Sequence, residues 1–154
     1  MPAKKLMAFL DENSVEYVII THSEAYTAQK VAESAHVPKK EMAKTVIIRV
    51  DGETSMAVVP SSCKVDFAML KKTIDANTVE LATELEFEDM FPDCDLGAMP
   101  PFGNLYDMKV FVAEKLAEDE YIAFNACTHR ELVKLAYVDF ERLVKPNILK
   151  FACE

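Results

Sequence analysis

The sequence contains no apolar run long enough to cross a membrane and no segment with the pattern of a secretory signal. No stretch approaches the roughly 18 consecutive apolar residues of a transmembrane helix. Lys4 and Lys5 are followed by a short apolar run and then by the acidic pair Asp11 and Glu12, without a small-residue cleavage site. We therefore expect a cytoplasmic protein that does not contact a membrane.

Cysteine motifs for metal binding and redox chemistry are also absent. No C-x-x-C pair occurs, and Cys127 and His129 are the only close cysteine–histidine pair, so a zinc site is not expected. A chain of this length can bury a sufficient core without covalent links. We therefore expect the four cysteines to be reduced and to act as small buried apolar residues, namely Cys63, Cys94, Cys127 and Cys153.

Several enzyme classes are excluded because their motifs are missing. The chain has no glycine-rich phosphate-binding loop, no dinucleotide fingerprint, no H-E-x-x-H zinc motif and no G-x-S-x-G elbow. These absences disfavour ATP hydrolysis, dinucleotide-dependent redox chemistry, zinc proteolysis and the α/β-hydrolase mechanism. No cofactor and no metal are expected.

An excess of basic residues is lacking as well. Seventeen lysines and arginines face 26 acidic residues, a net charge of −9, which disfavours binding to DNA or to anionic membranes. Any contact with nucleic acid must therefore be small and local. The 51% hydrophobic and 28% charged composition indicates a folded globular protein. Without repeats or linkers, residues 1–154 are expected to form a single domain.

The order of helix and strand patterns predicts an α+β fold. Asp51-Gly52 is a strong hairpin signal, and hairpins replace regular βαβ alternation, which favours an antiparallel or mixed sheet with helices around it. Helix N-caps are predicted at Thr27, Asp66, Thr83 and Asp139. Strands are predicted at Tyr17–Thr21, Lys44–Val50, Thr54–Val59, Lys109–Ala113, Tyr121–Asn125 and Glu131–Tyr137.

Glycine is scarce, yet two of the three glycines and two of the seven prolines fall within Gly97–Gly103. Such a loop is rigid and presents selected backbone amides, here those of Gly97, Ala98 and Met99. Oriented amides suit a carbonyl oxygen that becomes negative during acyl transfer. A tight connection between a helix and a strand explains the same composition.

Two further residues are candidates for chemistry. Lys44 begins a very apolar strand, from which its ammonium group can reach a pocket or extend to solvent. His129 follows another predicted strand, where a histidine can serve either as a structural hydrogen-bonding group or in a site.

Three segments together resemble the YbaK/prolyl-tRNA synthetase-associated editing domain family. They are Glu41–Ile47 with its lysine, the Gly-x-x-x-Pro-Phe-Gly loop at Gly97–Gly103, and Phe124–His129 with the pattern Asn-Ala-x-Thr-His. The resemblance runs from about His22 to the final predicted helix at 139–143 and so covers most of the chain.

The resemblance implies a mixed, largely antiparallel and partly barrel-like central sheet surrounded by helices. It also implies hydrolysis of the ester between a wrongly attached amino acid and the 3′ end of a tRNA. Lys44 matches the family's critical lysine, Gly97–Pro101 match the loop around the aminoacyl carbonyl, and His129 matches a position that lines the amino-acid pocket. Thr45 departs from the asparagine that often follows the lysine in alanine-editing members, which counts against alanine and leaves serine, threonine, cysteine or another small residue as the substrate.

From the family we expect the following roles. The amides of Gly97 and Ala98 hold the developing oxyanion, and Lys44 orients the ester near the terminal phosphate or ribose. The expected partner is the aminoacyl-tRNA acceptor end, with an aminoacyl-tRNA synthetase as a further candidate. The alternative is a non-catalytic module that binds tRNA or a synthetase. The expected substrate-binding residues are Thr45, Met99, Pro101, Phe102 and His129.

Overall fold

A computed structural model describes residues 4–153 of the chain. Its α-helices are α1 (Lys4–Glu12), α2 (Ala28–Ala35), α3 (Phe67–Thr73), α4 (Glu84–Phe87), α5 (Glu114–Ala117) and α6 (Tyr137–Val144). Its strands are β1 (Tyr17–Thr21), β2 (Ala43–Val50), β3 (Glu53–Pro60), β4 (Lys64–Val65), β5 (Val79–Leu81), β6 (Lys109–Ala113), β7 (Tyr121–Asn125), β8 (Glu131–Ala136), β9 (Asn147–Leu149) and β10 (Ala152–Cys153).

The strands form two larger sheets and one small pair. The five-stranded sheet has the order β5-β2-β3-β6-β9, antiparallel from β5 to β3 and parallel from β3 to β9. The three-stranded sheet, β1-β8-β7, is antiparallel throughout, as is the β10-β4 pair. The predicted α+β class is confirmed, and across residues 4–153 the sheets do not close into a barrel.

The β2-β3 hairpin has the turn that its sequence predicts. Asp51 and Gly52 both have positive φ values, 49° and 86°, as the primed two-residue turns require. The Asp51 carboxylate also accepts hydrogen bonds from the amides of Asn77 and Thr78, at 2.9 and 2.8 Å. The turn fixes the pairing of Val50 with Glu53 and hence the register of the whole hairpin.

An aromatic cluster anchors the Gly97–Gly103 loop in the main core. Phe102 is fully buried, with its ring centroid 5.4 Å from that of Phe124 and 5.5 Å from that of Phe140. Burial of one such side chain contributes about 1.5–3 kcal/mol. The Phe102 end of the loop is therefore held by α6 and β7, which limits the movement of the Gly97 end.

Most predicted helix starts are confirmed, and one is wrong. Thr27, Asp66 and Thr83 cap α2, α3 and α4 through their side chains, and Thr83 forms a complete capping box. Asp139 does not cap α6, which begins two residues earlier at Tyr137, because β8 leads directly into the helix. The Asp139 carboxylate instead pairs with Arg142 at 3.2 Å.

The expectation that all four cysteines are reduced is wrong for two of them. Cys94 and Cys127 form a disulfide across 33 residues of sequence, whereas Cys63 is free and buried. This pairing could not be predicted from the sequence, because no short motif links the two positions. The bond joins the segment before Gly97 to the segment that follows β7.

Candidate functional site

A cavity of about 660 Å³ opens beside the first half of β2. β2 pairs with β3 along its whole length, but it pairs with β5 only at Ile48–Val50. Gly97 and Met99 from the loop and Asn125 from the end of β7 also line the cavity. A parallel bridge between Met42 and Ala123 brings β7 next to β2. The volume lies within the range of about 300–1,000 Å³ that is usual for small-molecule sites.

Thr45 lies where the edge of β2 is uncovered. In an antiparallel strand, successive residues direct their backbone groups to alternate sides. The Ile47 carbonyl accepts from the Ala82 amide at 3.1 Å, on the side of β5. Two residues earlier, the Thr45 amide and carbonyl face the same side, where the pairing with β5 has ended. The Thr45 hydroxyl is buried and has no hydrogen-bond partner among the described residues.

Lys44 is a half-buried cation that lines this cavity. No acidic side chain within residues 4–153 forms an ion pair with it. Burial lowers its pKa below the ordinary value for lysine, and the nearby positive charge of Lys64 lowers that pKa further, while Cys63 has a smaller opposing effect. Lys44 is therefore a cation without a protein counter-charge, available to an anionic or strongly polar ligand.

The structure brings together four of the eight predicted site residues along the wall of the cavity. They are Lys44, Thr45, Gly97 and Met99. Three others, the loop residues Ala98, Pro101 and Phe102, are buried and do not line the cavity. The last, His129, packs against the loop from the side.

The free amides of the loop differ from those predicted. The Ala98 amide donates to the Asp95 carbonyl at 3.0 Å, so the prediction that it is free to hold an oxyanion is wrong. The amides of Gly97 and Met99 donate to no residue in the described part of the chain. Gly97 adopts a φ of 84°, which changes the direction of the chain at this point. The loop therefore offers the amides of Gly97 and Met99.

His129 holds the loop in position. Its Nε2–H donates to the Leu96 carbonyl at 2.9 Å, which leaves Nδ1 as a buried acceptor without a described partner. A Cβ added to Gly97 would lie at an ordinary van der Waals distance of 3.5 Å from the imidazole Cε1, so the ring lies close beside the loop. The structure thus gives His129 the hydrogen-bonding role that the sequence allowed, directly beside the cavity.

Two functional candidates were missed in the sequence. The Asn125 Oδ1 atom is buried without a described partner, and Asn125 lines the cavity. Its signal was a polar residue at the end of an otherwise apolar strand. Lys64 is exposed and its charge acts on Lys44, but nothing in the sequence connects the two positions.

Glu84 also lines the cavity, and two basic side chains outside the lining are engaged in other contacts. Arg130 forms an ion pair with Glu24 at 3.0 Å, and the Lys134 ammonium lies 5.3 Å from the centre of the Tyr121 ring. Within residues 4–153 there is no cluster of three potential metal ligands. Over the same range no helix has the length and apolar character needed to span a membrane.

Known proteins that this chain resembles in sequence and in fold indicate the same family. A sequence profile described as the aminoacyl-tRNA editing domain matches residues 22–143. The chain is 25% identical to the multifunctional Ser/Thr-tRNA deacylase ProXp-y of Escherichia coli K12, over 96% of this chain and 91% of that protein. It is 29% identical to the proline–tRNA ligase of a Staphylococcus epidermidis strain, over 80% of this chain but only 23% of the ligase.

A solved structure described as a candidate trans-editing enzyme for prolyl-tRNA synthetase has the same fold. It superposes with a TM-score of 0.82 at 14% identity, covering 98% of this chain and 96% of the other. The profile match covers most of the residues and includes β2, the Gly97–Gly103 loop and the segment that ends at His129. The chain therefore belongs to the aminoacyl-tRNA editing domain family, as its motifs predicted.

Proposed function

We propose that this protein acts in trans as a hydrolase that removes a wrongly attached amino acid from the 3′ end of a tRNA. One observation carries the proposal. One cavity of a size suited to a small ligand is lined by an unpaired, half-buried lysine and by Gly97 and Met99, two residues whose backbone amides are unpaired. This arrangement can bind an ester and stabilise negative charge on its carbonyl oxygen.

The amides of Gly97 and Met99 act as the oxyanion donors in this mechanism. Attack on the ester carbonyl moves a full negative charge onto its oxygen, and fixed donors stabilise that charge without reorganising. One such donor contributes roughly 10²–10³ in rate. The Ala98 amide contributes indirectly, because its bond to Asp95 fixes the turn that presents its two neighbours.

Lys44 supplies a positive charge that binds the ribose or terminal phosphate and orients the ester. A lysine binds phosphate as a point charge, and Lys64 adds to the local positive potential. The nucleophile is water, which the 2′-hydroxyl of the substrate's own ribose can help to activate. The protein then needs no nucleophilic side chain, and an activated ester requires only positioning and charge stabilisation.

Two of the residues that line the cavity carry buried polar atoms that favour a small substrate with a hydroxyl group. The Thr45 hydroxyl and the Asn125 Oδ1 are both buried and unpartnered, so leaving them unmatched by a ligand is costly. A serine or threonine side chain can donate to Asn125 and accept from Thr45. The name of the E. coli relative, a Ser/Thr-tRNA deacylase, agrees with this substrate class. A hydrolytic second site is useful here because synthetases separate such small side chains poorly.

The proposed partner is the acceptor end of an aminoacyl-tRNA, in the cytoplasm. A synthetase is a further candidate partner, since the similarity to proline–tRNA ligase covers 80% of this chain. A net charge of −9 restricts the nucleic-acid contact to the vicinity of Lys44 and Lys64.

A panel of charged tRNAs tests the proposal. Purified protein is incubated with tRNAs that carry serine, threonine, alanine or cysteine, and the release of amino acid is followed. We expect release of serine or threonine, abolished by Lys44→Ala and retained by Lys72→Ala, an exposed lysine on α3 that is absent from the cavity lining. Binding of charged tRNA without release of any amino acid would instead indicate a non-catalytic module.

A further inference from the structure

An aromatic side chain stands exposed at the mouth of the cavity. Tyr26 lies immediately before the N-cap of α2, lines the cavity, and is 68% exposed. An exposed aromatic residue alone needs no functional explanation. Tyr26 differs because the surrounding residues hold its ring in place.

Two contacts fix the Tyr26 ring. The ring packs on the His129 imidazole with centroids 4.7 Å apart and planes inclined by 50°. The phenol hydroxyl donates to the Glu24 carboxylate, whose other oxygen accepts from Arg130 at 3.0 Å. The hydrogen bond to Glu24 raises the pKa of Tyr26, and the bonds from Tyr26 and Arg130 lower the pKa of Glu24. The side chain is therefore ordered before any ligand arrives, which reduces the entropy lost on binding.

Apolar side chains continue this surface around the mouth. Leu81, which lines the cavity from β5, is 62% exposed, and Leu96, next to Gly97, is 41% exposed. Lys44, Gly97 and Met99 provide the polar groups of the same cavity. Exposed apolar side chains thus lie beside a cavity with a charged and polar interior.

We propose that Tyr26, supported by His129, is the stacking platform for the terminal adenine base of the tRNA. The inference rests on the proposed function, which places the ester beside Lys44 and the loop amides. A terminal nucleotide whose ester lies in the cavity leaves its base at the mouth. Unpaired nucleotide ends are commonly recognised by stacking on aromatic side chains. The base faces are apolar and flat, and they match the exposed ring.

Substrates with and without the base test the stack. The same amino acid is presented as an ester of adenosine at the end of a short RNA and as an ester of an abasic terminal ribose. For Tyr26→Ala we expect KM on the adenosine substrate to rise roughly 5- to 150-fold, the equivalent of the about 1–3 kcal/mol of one stacked base, with little change in kcat. On the abasic substrate, wild type and variant should be equal. Tyr26→Phe should retain most of the affinity, and Tyr121→Ala, on the three-stranded sheet, is the control.

Binding can also be observed without catalysis. The chain contains no tryptophan, so Tyr26→Trp introduces a single fluorescent indole at the mouth. A non-hydrolysable analogue with an amide at the 3′ position of adenosine should quench this fluorescence, whereas its abasic counterpart should not.

Three results would overturn the stacking proposal. An equal loss on both substrates in Tyr26→Ala would mean that Tyr26 acts on the ester through His129. An unchanged KM would mean that the base does not touch it. Equal quenching by the two analogues would have the same meaning. If wild type hydrolyses neither ester, the proposed function fails, and the fluorescence measurement still decides whether adenine stacks on residue 26.

Discussion

Half-burial of the Lys44 ammonium group without a counter-charge disfavours the folded state, which indicates that the residue is placed there for function. A half-buried ammonium group without a counter-charge loses hydration and gains no ion pair. Groups with pKa values shifted by burial, located in a cavity, are frequent at functional sites. Two residues that line the same cavity also carry a buried polar atom without a described partner, the Thr45 hydroxyl and the Asn125 Oδ1, which strengthens that interpretation.

Replacing Lys44 by methionine should separate stability from activity. We expect deacylation to fall by about 10²-fold or more, because the ester loses its orienting charge. The folded-state pKa of Lys44 lies below the unfolded value of 10.5, so its protonated form opposes folding at neutral pH, and the effect disappears as the pH rises above 10.5. Lys44→Met should therefore unfold at the same or a higher temperature at pH 7, measured by circular dichroism.

Lys72→Met is the control for this comparison, since Lys72 is exposed on α3 and should change neither property. A variant at position 44 that loses activity only because it is less stable would contradict the role assigned to the charge.

At the scale of elements, the Gly97–Gly103 loop depends on one unusual backbone angle. Gly97 has a φ of 84°, whereas an added Cβ would make only an ordinary contact of 3.5 Å with the His129 ring. The strain in an alanine variant would therefore come from the backbone and not from crowding. That strain is about 1–2 kcal/mol for an L-residue.

Gly97→Ala should lower the free energy of unfolding in urea by about 1–2 kcal/mol and reduce deacylation, because the turn that presents the amides must shift. Gly52→Ala is a matched control. Gly52 also has a positive φ, 86°, and lies in the β2-β3 hairpin away from the cavity lining. A similar loss of stability with full activity is expected for Gly52→Ala. Equal activities in the two variants would contradict the catalytic use of the loop.

The Cys94–Cys127 disulfide joins the segment before Gly97 to the segment that follows β7. For a bridge that spans 33 residues, chain entropy predicts about 2–4 kcal/mol of stabilisation. Cys94→Ser combined with Cys127→Ser should lower the free energy of unfolding by that amount. It should also raise KM, because the segment before Gly97 is then held only by hydrogen bonds.

Alkylation of denatured, unreduced protein gives an independent check of the bridge. Mass spectrometry should find Cys63 labelled and both Cys94 and Cys127 unlabelled. Full labelling of the latter two would contradict the disulfide.

The elements with strong periodicity could be predicted from the sequence, and the short ones could not. β2 and β3 carry long apolar runs joined by Asp51-Gly52, and both were predicted within one residue of their observed ends. β4, β9 and β10 have two or three residues each, too few for an alternating pattern. β9 forms on the edge that β6 provides, whereas β4 and β10, which are distant in sequence, pair with each other.

In the site, too, some features could be predicted from the sequence and others could not. Lys44 and the Gly97–Gly103 loop were identifiable from residue type and motif. Which loop amides remain free depends on the bond from Ala98 to Asp95, and this is a property of the folded turn. Asn125 belonged to the Asn-Ala-x-Thr-His pattern, but its role was not predicted, since that role comes from a buried oxygen without a described partner.

At the scale of the whole molecule, the acidic charge conflicts with a polyanionic partner. Lys44 and Lys64 form a small positive region, while the net charge is −9. Binding should therefore use very few phosphates. This agrees with a cavity that accepts only the end of a single strand.

The salt dependence of binding measures how many phosphates are contacted. For about two contacts on a single strand, the logarithm of the binding constant should fall with the logarithm of salt concentration with a slope of about −1.4. Lys64→Ala should reduce the magnitude of the slope by about 0.7. Filter binding of a non-hydrolysable aminoacyl-tRNA measures both values. A slope several times steeper would indicate a broad nucleic-acid interface and contradict binding of the acceptor end alone.

The most direct test is a crystal structure with a non-hydrolysable 3′-aminoacylamino-adenosine that carries serine. We predict that its carbonyl oxygen lies about 3 Å from the amide nitrogens of Gly97 and Met99, with the Lys44 ammonium facing the ribose. A carbonyl oxygen bound elsewhere, or a Lys44 side chain directed out of the cavity, would contradict the proposed mechanism.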